Sequence, residues 1–182
     1  MGVQNNIHVL KRITSYLNNP LIIFFIIFAS GCGESENSNS ARSPLPSTPN
    51  AEAARAELEG IDTNQDGIRD EVQIMVRGLA LSTEEERASL QLARGIQSAI
   101  LVGARADASN DEITTAGEKL TRAADCVYHR FQARASQQII VMDLLMADTP
   151  ERVQAYHNFE ARTVGQSFEG ATSLEEACDS DI

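Results

Sequence analysis

Residues 82–106 read STEEERASLQLARGIQSAILVGARA. Thr83 with Glu86, or Ser82 with Glu85, has the spacing of a capping box, in which hydroxyl and carboxylate satisfy the free backbone N–H groups of a helix start. Beyond it, Leu90, Ala93, Ile96 or Gln97, and Ile100 recur at three- and four-residue intervals, so a long helix with one apolar face is expected through about Ala106. Gly95, Ala99 and Gly103 fall four apart on the same helix. A groove of small residues lets a second helix approach closely.

The same period extends in both directions. Downstream, Asp107 to Asp111 is a turn with good N-cap residues, and Ile113, Ala116, Leu120, Ala124, Val127 and Phe131 mark a second long amphipathic helix. Residues 139–146 continue helically. Asp148-Thr149-Pro150-Glu151 is a restart: Thr149 caps, Pro150 sits where its missing N–H costs nothing, and Glu151 suits the helix dipole. That helix is expected to run to about Val164 and stop at Gly165. Upstream, Val72, Met75, Val76 and Leu79 form a shorter stripe, and Ala51 to about Leu58 a short helix ended by Gly60. No run alternates as a half-buried strand does. The fold class expected is therefore all-α, a compact bundle of four to five helices over residues 51–182.

Composition agrees. Hydrophobic residues are 42% of 182, but aromatics are 5% and Trp is absent, so the core must be aliphatic. There are 15 Lys+Arg against 26 Asp+Glu, a formal charge of −11. That excess of acid argues against nucleic acid as a partner, because phosphate binding needs a basic face.

Residues 1–31 do not belong to the bundle. Lys11 and Arg12 precede the apolar run Leu21 to Phe28, which is followed by Ala29-Ser30-Gly31 and then Cys32. A basic stretch, a short apolar core and small residues are the requirements for export and cleavage. The run is shorter than the ~20 residues a membrane span needs. Ala29-Ser30-Gly31-Cys32 resembles the lipobox of bacterial lipoproteins, with Ala29 where that family usually has Leu. The resemblance implies a diacylglycerol on the Cys32 thiol, cleavage before it and an acylated amine. Several acyl chains, at ~0.8 kcal/mol per buried methylene, make a stable membrane anchor. Gly33 resembles the following residue of lipoproteins sent to the outer membrane. The alternative is an ordinary signal peptide that leaves Cys32 a plain thiol. Residues 33–50, GESENSNSARSPLPSTPN, have the composition of a flexible linker, so 32–50 is expected to be a lipidated tether. Removing residues 1–31 takes away two cations and no anion, so the lipid and not surface charge must hold the protein to a membrane.

The sharpest chemical signal is Asp62-Thr-Asn64-Gln-Asp66-Gly67-Ile68-Arg-Asp70-Glu-Val-Gln73. Calcium takes six to eight oxygens, and a twelve-residue loop supplies them from alternate positions. Asp62, Asn64 and Asp66 stand at positions one, three and five, and Gly67 permits the turn at six. Ile68 offers its carbonyl at seven, and Asp70 stands at nine. The loop resembles an EF-hand or thrombospondin type-3 calcium loop. Gln73 replaces the bidentate Glu of an EF-hand at position twelve, and Arg69 stands at eight, where paired EF-hands carry an aliphatic residue. A solitary site is expected, with a dissociation constant on the order of 10⁻⁴–10⁻³ M. The alternative is an Asx-rich turn that caps the following helix and binds nothing. Small proteobacterial lipoproteins resemble this chain further, with such a loop early in a helical domain, then a Cys-bearing helix, a T-P-E-R-type helix start and a Cys near the C-terminus. No activity comes with that resemblance.

With Cys32 taken for lipid, Cys126 and Cys178 remain, and in an oxidising compartment two leftover cysteines are expected to pair. A bridge of this span is worth about 4 kcal/mol on the chain-entropy model. The rival reading makes Cys126 a nucleophile with His129 one turn away, although no third group is evident to orient the imidazole. No zinc spacing, phosphate loop or Gly-x-Ser-x-Gly motif occurs. The function expected is a non-enzymatic, lipid-anchored envelope protein with a structural calcium loop. The alternatives are an interaction module whose helical groove binds an envelope protein, and a periplasmic enzyme whose site carries no motif.

Overall fold

The computed structural model describes residues 44–180. The signal segment, Cys32 and the first part of the linker lie outside them. Pro44 to Pro49 has no regular structure, and Asn50 opens the fold: its Oδ1 accepts from the backbone N–H of Glu52 and Ala53, capping α1 (Ala51–Ala56). The chain then runs through the Asp-rich loop into α2 (Asp70–Gly78), α3 (Thr83–Ala104) and α4 (Asn110–Phe131). A 3₁₀ turn (Gln132–Arg134) leads into α5 (Ala135–Met146), followed by α6 (Pro150–Thr163), a strap, and the one-turn α7 (Leu174–Ala177). The described residues contain no strand, and the bundle is all-α, built from α2 to α6.

Caps place the boundaries. Of the two capping boxes open at the start of α3, Ser82 with Glu85 is the one formed, and Ser109 with Glu112 repeats it at α4. Thr149 Oγ1 accepts from Arg152 N–H with Pro150 at the first turn, and Gly165 (φ +86°) follows the end of α6. Gln132 takes φ +52°, which ends α4 and turns the chain toward α5.

α3 is the hub and is buried nearly all round, so the single stripe read from its sequence is too narrow. Ala88, Leu92, Ala93, Ile96, Ala99 and Ile100 are all at most 1% exposed. The small residues set its distances. A Cβ on Gly95 would stand 3.1 Å from Leu120 Cα of α4, and one on Gly103 would stand 2.1 Å from Ala155 O of α6. Both neighbours thus reach backbone contact that a side chain would deny them. On α2 the expected stripe splits: Val72 and Val76 are buried, whereas Met75 and Leu79 lie on the surface side, about 40% exposed.

α1 stops short of the expected Leu58 for a long-range reason. Arg152, on the first turn of α6, is wholly buried and turns toward the α1 segment. Its Nη2 donates to Ala54 O and Glu57 O (both 2.8 Å), and its Nε donates to Leu58 O at 3.2 Å. Carbonyls that would continue the helix are occupied by the guanidinium. Its Nη1 donates to Asp148 Oδ1 at 2.7 Å. Arg69, equally buried, donates to the same Asp148 oxygen at 3.0 Å and to the carbonyls of Leu145 and Met146. Gly60 (φ +70°) threads beside this pair, where a Cβ would lie 2.5 Å from Arg69 Cδ.

The C-terminal strap closes over α3 and α4. Cys126 and Cys178 are joined as a disulfide, with Cα atoms 4.9 Å apart. Gln91 clamps the strap beside it, donating to Ala177 O and accepting from Asp179 N–H. Asp125 Oδ2 accepts from Ala171 N–H, and the Phe168 ring covers Gly117.

Replacing Arg152 by Met leaves three backbone carbonyls without that cation and Asp148 with Arg69 as its one remaining buried guanidinium. Breaking a buried charged cluster of this kind costs about 3–5 kcal/mol, which urea denaturation of Arg152→Met should show as a lower midpoint.

Candidate metal centre

The Asp-rich loop lies between two anchors. Ile61 O accepts from Asp70 N–H at 2.8 Å, and the side chains of Ile68, Arg69 and Val72 enter the core. Arg69 at position eight is thereby explained. It takes the place of the aliphatic residue of a paired loop because it reaches into the domain to Asp148.

Inside the loop, acceptors turn onto backbone amides. Asp62 Oδ1 accepts from Asp66 N–H (3.2 Å), Asp62 Oδ2 from Gly67 N–H (2.8 Å), and Asp66 Oδ1 from Ile68 N–H (2.9 Å). Gln65 (φ +57°) and Gly67 (φ +82°) supply the left-handed backbone that lets the chain curl this tightly. The structure brings the Asn64, Asp66 and Gln73 side chains together, while Asp62 faces the backbone amides of Asp66 and Gly67. Asn64 Nδ2 lies 3.1 Å from Asp66 Oδ2 and 3.4 Å from Gln73 Oε1, and Gln73 Nε2 also donates to Asp66 Oδ2.

Asp70, expected at position nine, stands apart. It is buried, and its two oxygens accept from Thr63 N–H (3.0 Å) and Thr63 Oγ1 (2.9 Å). It closes the loop on itself and starts α2 with a favourable negative charge. Ile68 contributes its side chain to the core. Among the described residues no three His, Cys, Asp or Glu side chains converge on one ion. The assembled donor set is thus two carboxylates and two amides, a mixture that suits a hard cation at modest affinity.

The nucleophile reading of Cys126 does not survive the disulfide, which consumes its thiol. His129 lies instead near Asp125, whose carboxyl burial pushes upward in pKa, an effect the hydrogen bond from Ala171 N–H and the His129 charge oppose.

Two buried polar groupings carried no local signature. In the first, Arg69 and Arg152 share Asp148. Burial alone would raise the Asp148 carboxyl, but the hydrogen bond from Arg152 and the two guanidinium charges hold it below its ordinary value. Burial, and then the Arg152 charge, lower Arg69. Arg69 Nε lies 3.3 Å from Glu71 Oε1, but not in hydrogen-bonding geometry. In the second, Asp143 of α5 is 6% exposed and meets Tyr156 and Glu160 of α6. Burial, then the Glu160 carboxylate, push Asp143 up to about 7, while the Tyr156 hydroxyl opposes them. Glu160 is raised by burial as well, with His157 opposing.

The chain matches no protein-family model, and neither a curated protein nor a solved structure is significantly similar to it.

Asp143 makes stability fall with pH. Its folded pKa is raised, so the folded state holds the proton more tightly than the unfolded chain does. The stability this contributes is complete below the unfolded value, about 3.9, and is lost as pH rises to about 7. In Asp143→Asn the urea midpoint should fall less across that window and exceed that of the parent at about pH 8.

Proposed function

We propose that the protein is a lipid-anchored, non-catalytic component of the bacterial outer membrane, whose helical domain is stabilised by one weak calcium loop. The observation that carries the calcium reading is the convergence of the Asn64, Asp66 and Gln73 side chains in a loop pinned to the core at both ends, with Asp62 folded back onto the amides of Asp66 and Gly67. Two amide nitrogens now lie against the Asp66 carboxylate, where a cation would otherwise balance its charge. An amide presents oxygen in place of nitrogen after half a turn. The same four side chains, with the Ile68 carbonyl, would then form an oxygen cage. Because the loop joins α1 to α2 and is tied to α3 by Arg94 Nε on Asp66 O (2.7 Å), calcium held there would brace the fold and not switch it. Lipid on Cys32 supplies the attachment that an acidic chain cannot obtain from anionic lipid. Among the described residues no helix is long and apolar enough to cross a membrane. An envelope protein is the partner class this placement implies.

Thermal melts of the purified protein, with magnesium as control, test the calcium reading. At several millimolar calcium and a dissociation constant near 10⁻³ M, mass action stabilises by about 1 kcal/mol, a rise in melting temperature of about 3 °C. The rise should vanish in Asp62→Ala and grow in Gln73→Glu, which restores the missing oxygen. No shift in either the parent or Gln73→Glu would reduce the loop to a helix-capping turn. For the anchor, Cys32→Ser should move the protein from the membrane fraction to the soluble one.

A further inference from the structure

A cavity of about 660 Å³ opens between the Asp-rich loop, α3 and α4, with the strap at its edge. That is a volume typical of small-molecule sites. Its charge runs against that of the chain. Arg94 from α3 and Lys119 and Arg122 from α4 line it, in a protein of formal charge −11. Arg122 is already occupied, donating to Asp179 Oδ1 and to Glu176 O of the strap. Asp62, on the same wall, has both oxygens on amides of its own loop. Among the charges without an ion-pair partner, Arg94 and Lys119 match the carboxylates of Glu59 and Asp62, a neutral balance in a chain of formal charge −11.

The two cations have donors to spare. Arg94 uses Nε on Asp66 O, and its terminal nitrogens have no partner among the described residues. Lys119 is exposed and likewise unpartnered. Gln97, in the same wall and 6% exposed, adds an independent sign of a ligand. Its Nε2 donates to Glu59 O at 3.1 Å, whereas its Oε1 is buried with no donor. A buried acceptor in that condition is destabilising until an O–H or N–H meets it.

We propose that this cavity binds a small hydroxylated anion, a sugar acid or a sugar phosphate, with its acidic group on Arg94 and Lys119 and a hydroxyl on Gln97 Oε1. Arg122 with Asp179 shows the same recognition made internally, a carboxylate taken by a cation of this wall. The inference does not depend on calcium occupying the neighbouring loop.

Isothermal titration calorimetry of the purified protein with D-glucuronate, glucose 6-phosphate and neutral glucose tests it. At least one of the two anions should bind one to one, and glucose should not. Binding of only one assigns the acidic group to carboxylate or phosphate. Lys119→Glu, at an exposed and unpaired position, should weaken binding about tenfold or more, as expected for one charge-assisted contact reversed in sign. Gln97→Leu should weaken it about threefold or more through the lost hydroxyl contact. No heat from either anion at about 10 mM, binding of glucose as tight as that of the anions, or unchanged affinity in Lys119→Glu would overturn the proposal.

Discussion

Two buried guanidinium groups sharing one carboxylate hold this domain's three parts in register. Asp148 lies in the turn between α5 and α6, Arg152 one helical turn beyond it, and Arg69 at the head of α2. Arg152 adds the carbonyls of the α1 segment, and Arg69 adds those at the end of α5. Two positive charges against one shared negative charge would be unfavourable in a dry interior. Here the Glu71 carboxylate beside Arg69 and the carbonyl dipoles complete the compensation, so the cluster works as a polar core beside the aliphatic one. The Asp-rich loop depends on it directly, since Arg69 is both a member of the loop and a member of the cluster.

The aliphatic core solves a different problem. With no Trp and few aromatics, large side chains cannot fill wide gaps between helices. The chain narrows the gaps instead. Gly95, Ala99 and Gly103 let α4 and α6 approach α3 to backbone contact. Close-packed helices with small residues between them lose little to cavities. Asp143 on α5, 6% exposed, is likewise largely withdrawn from water, and burial is the first cause of its raised pKa.

The features legible in the sequence were local. Ser82 with Glu85 and Thr149 with Pro150 act over a few residues, and each is found where its spacing puts it. The cysteine pairing was legible for a chemical reason, because two thiols remained once Cys32 was assigned to lipid. The burial of α3 on most sides was not legible, because a stripe shows that one face is covered and does not show how many neighbours cover it. Arg69 and Arg152 were invisible for a stronger reason. Their acceptors are mostly backbone carbonyls 76 to 98 residues away, and a carbonyl has no letter in the sequence. Asp70 marks the middle ground: its residue type fits a ligand position, but its side chain caps Thr63.

Fastening by carbonyls also bears on how freely this protein can drift. Of the residues in α1, only Ala54 is buried, and beside the Arg55–Asp148 ion pair and the packing of Leu58 the segment is held by main-chain oxygens that every amino acid carries. Nearly any side chain at Glu52 or Glu57 leaves the same oxygens facing Arg152. The burden of specificity rests on the arginine and on Gly60, which must stay small to pass it. The N-terminal margin of the domain can therefore exchange much of its surface while its attachment to Arg152 stays unchanged.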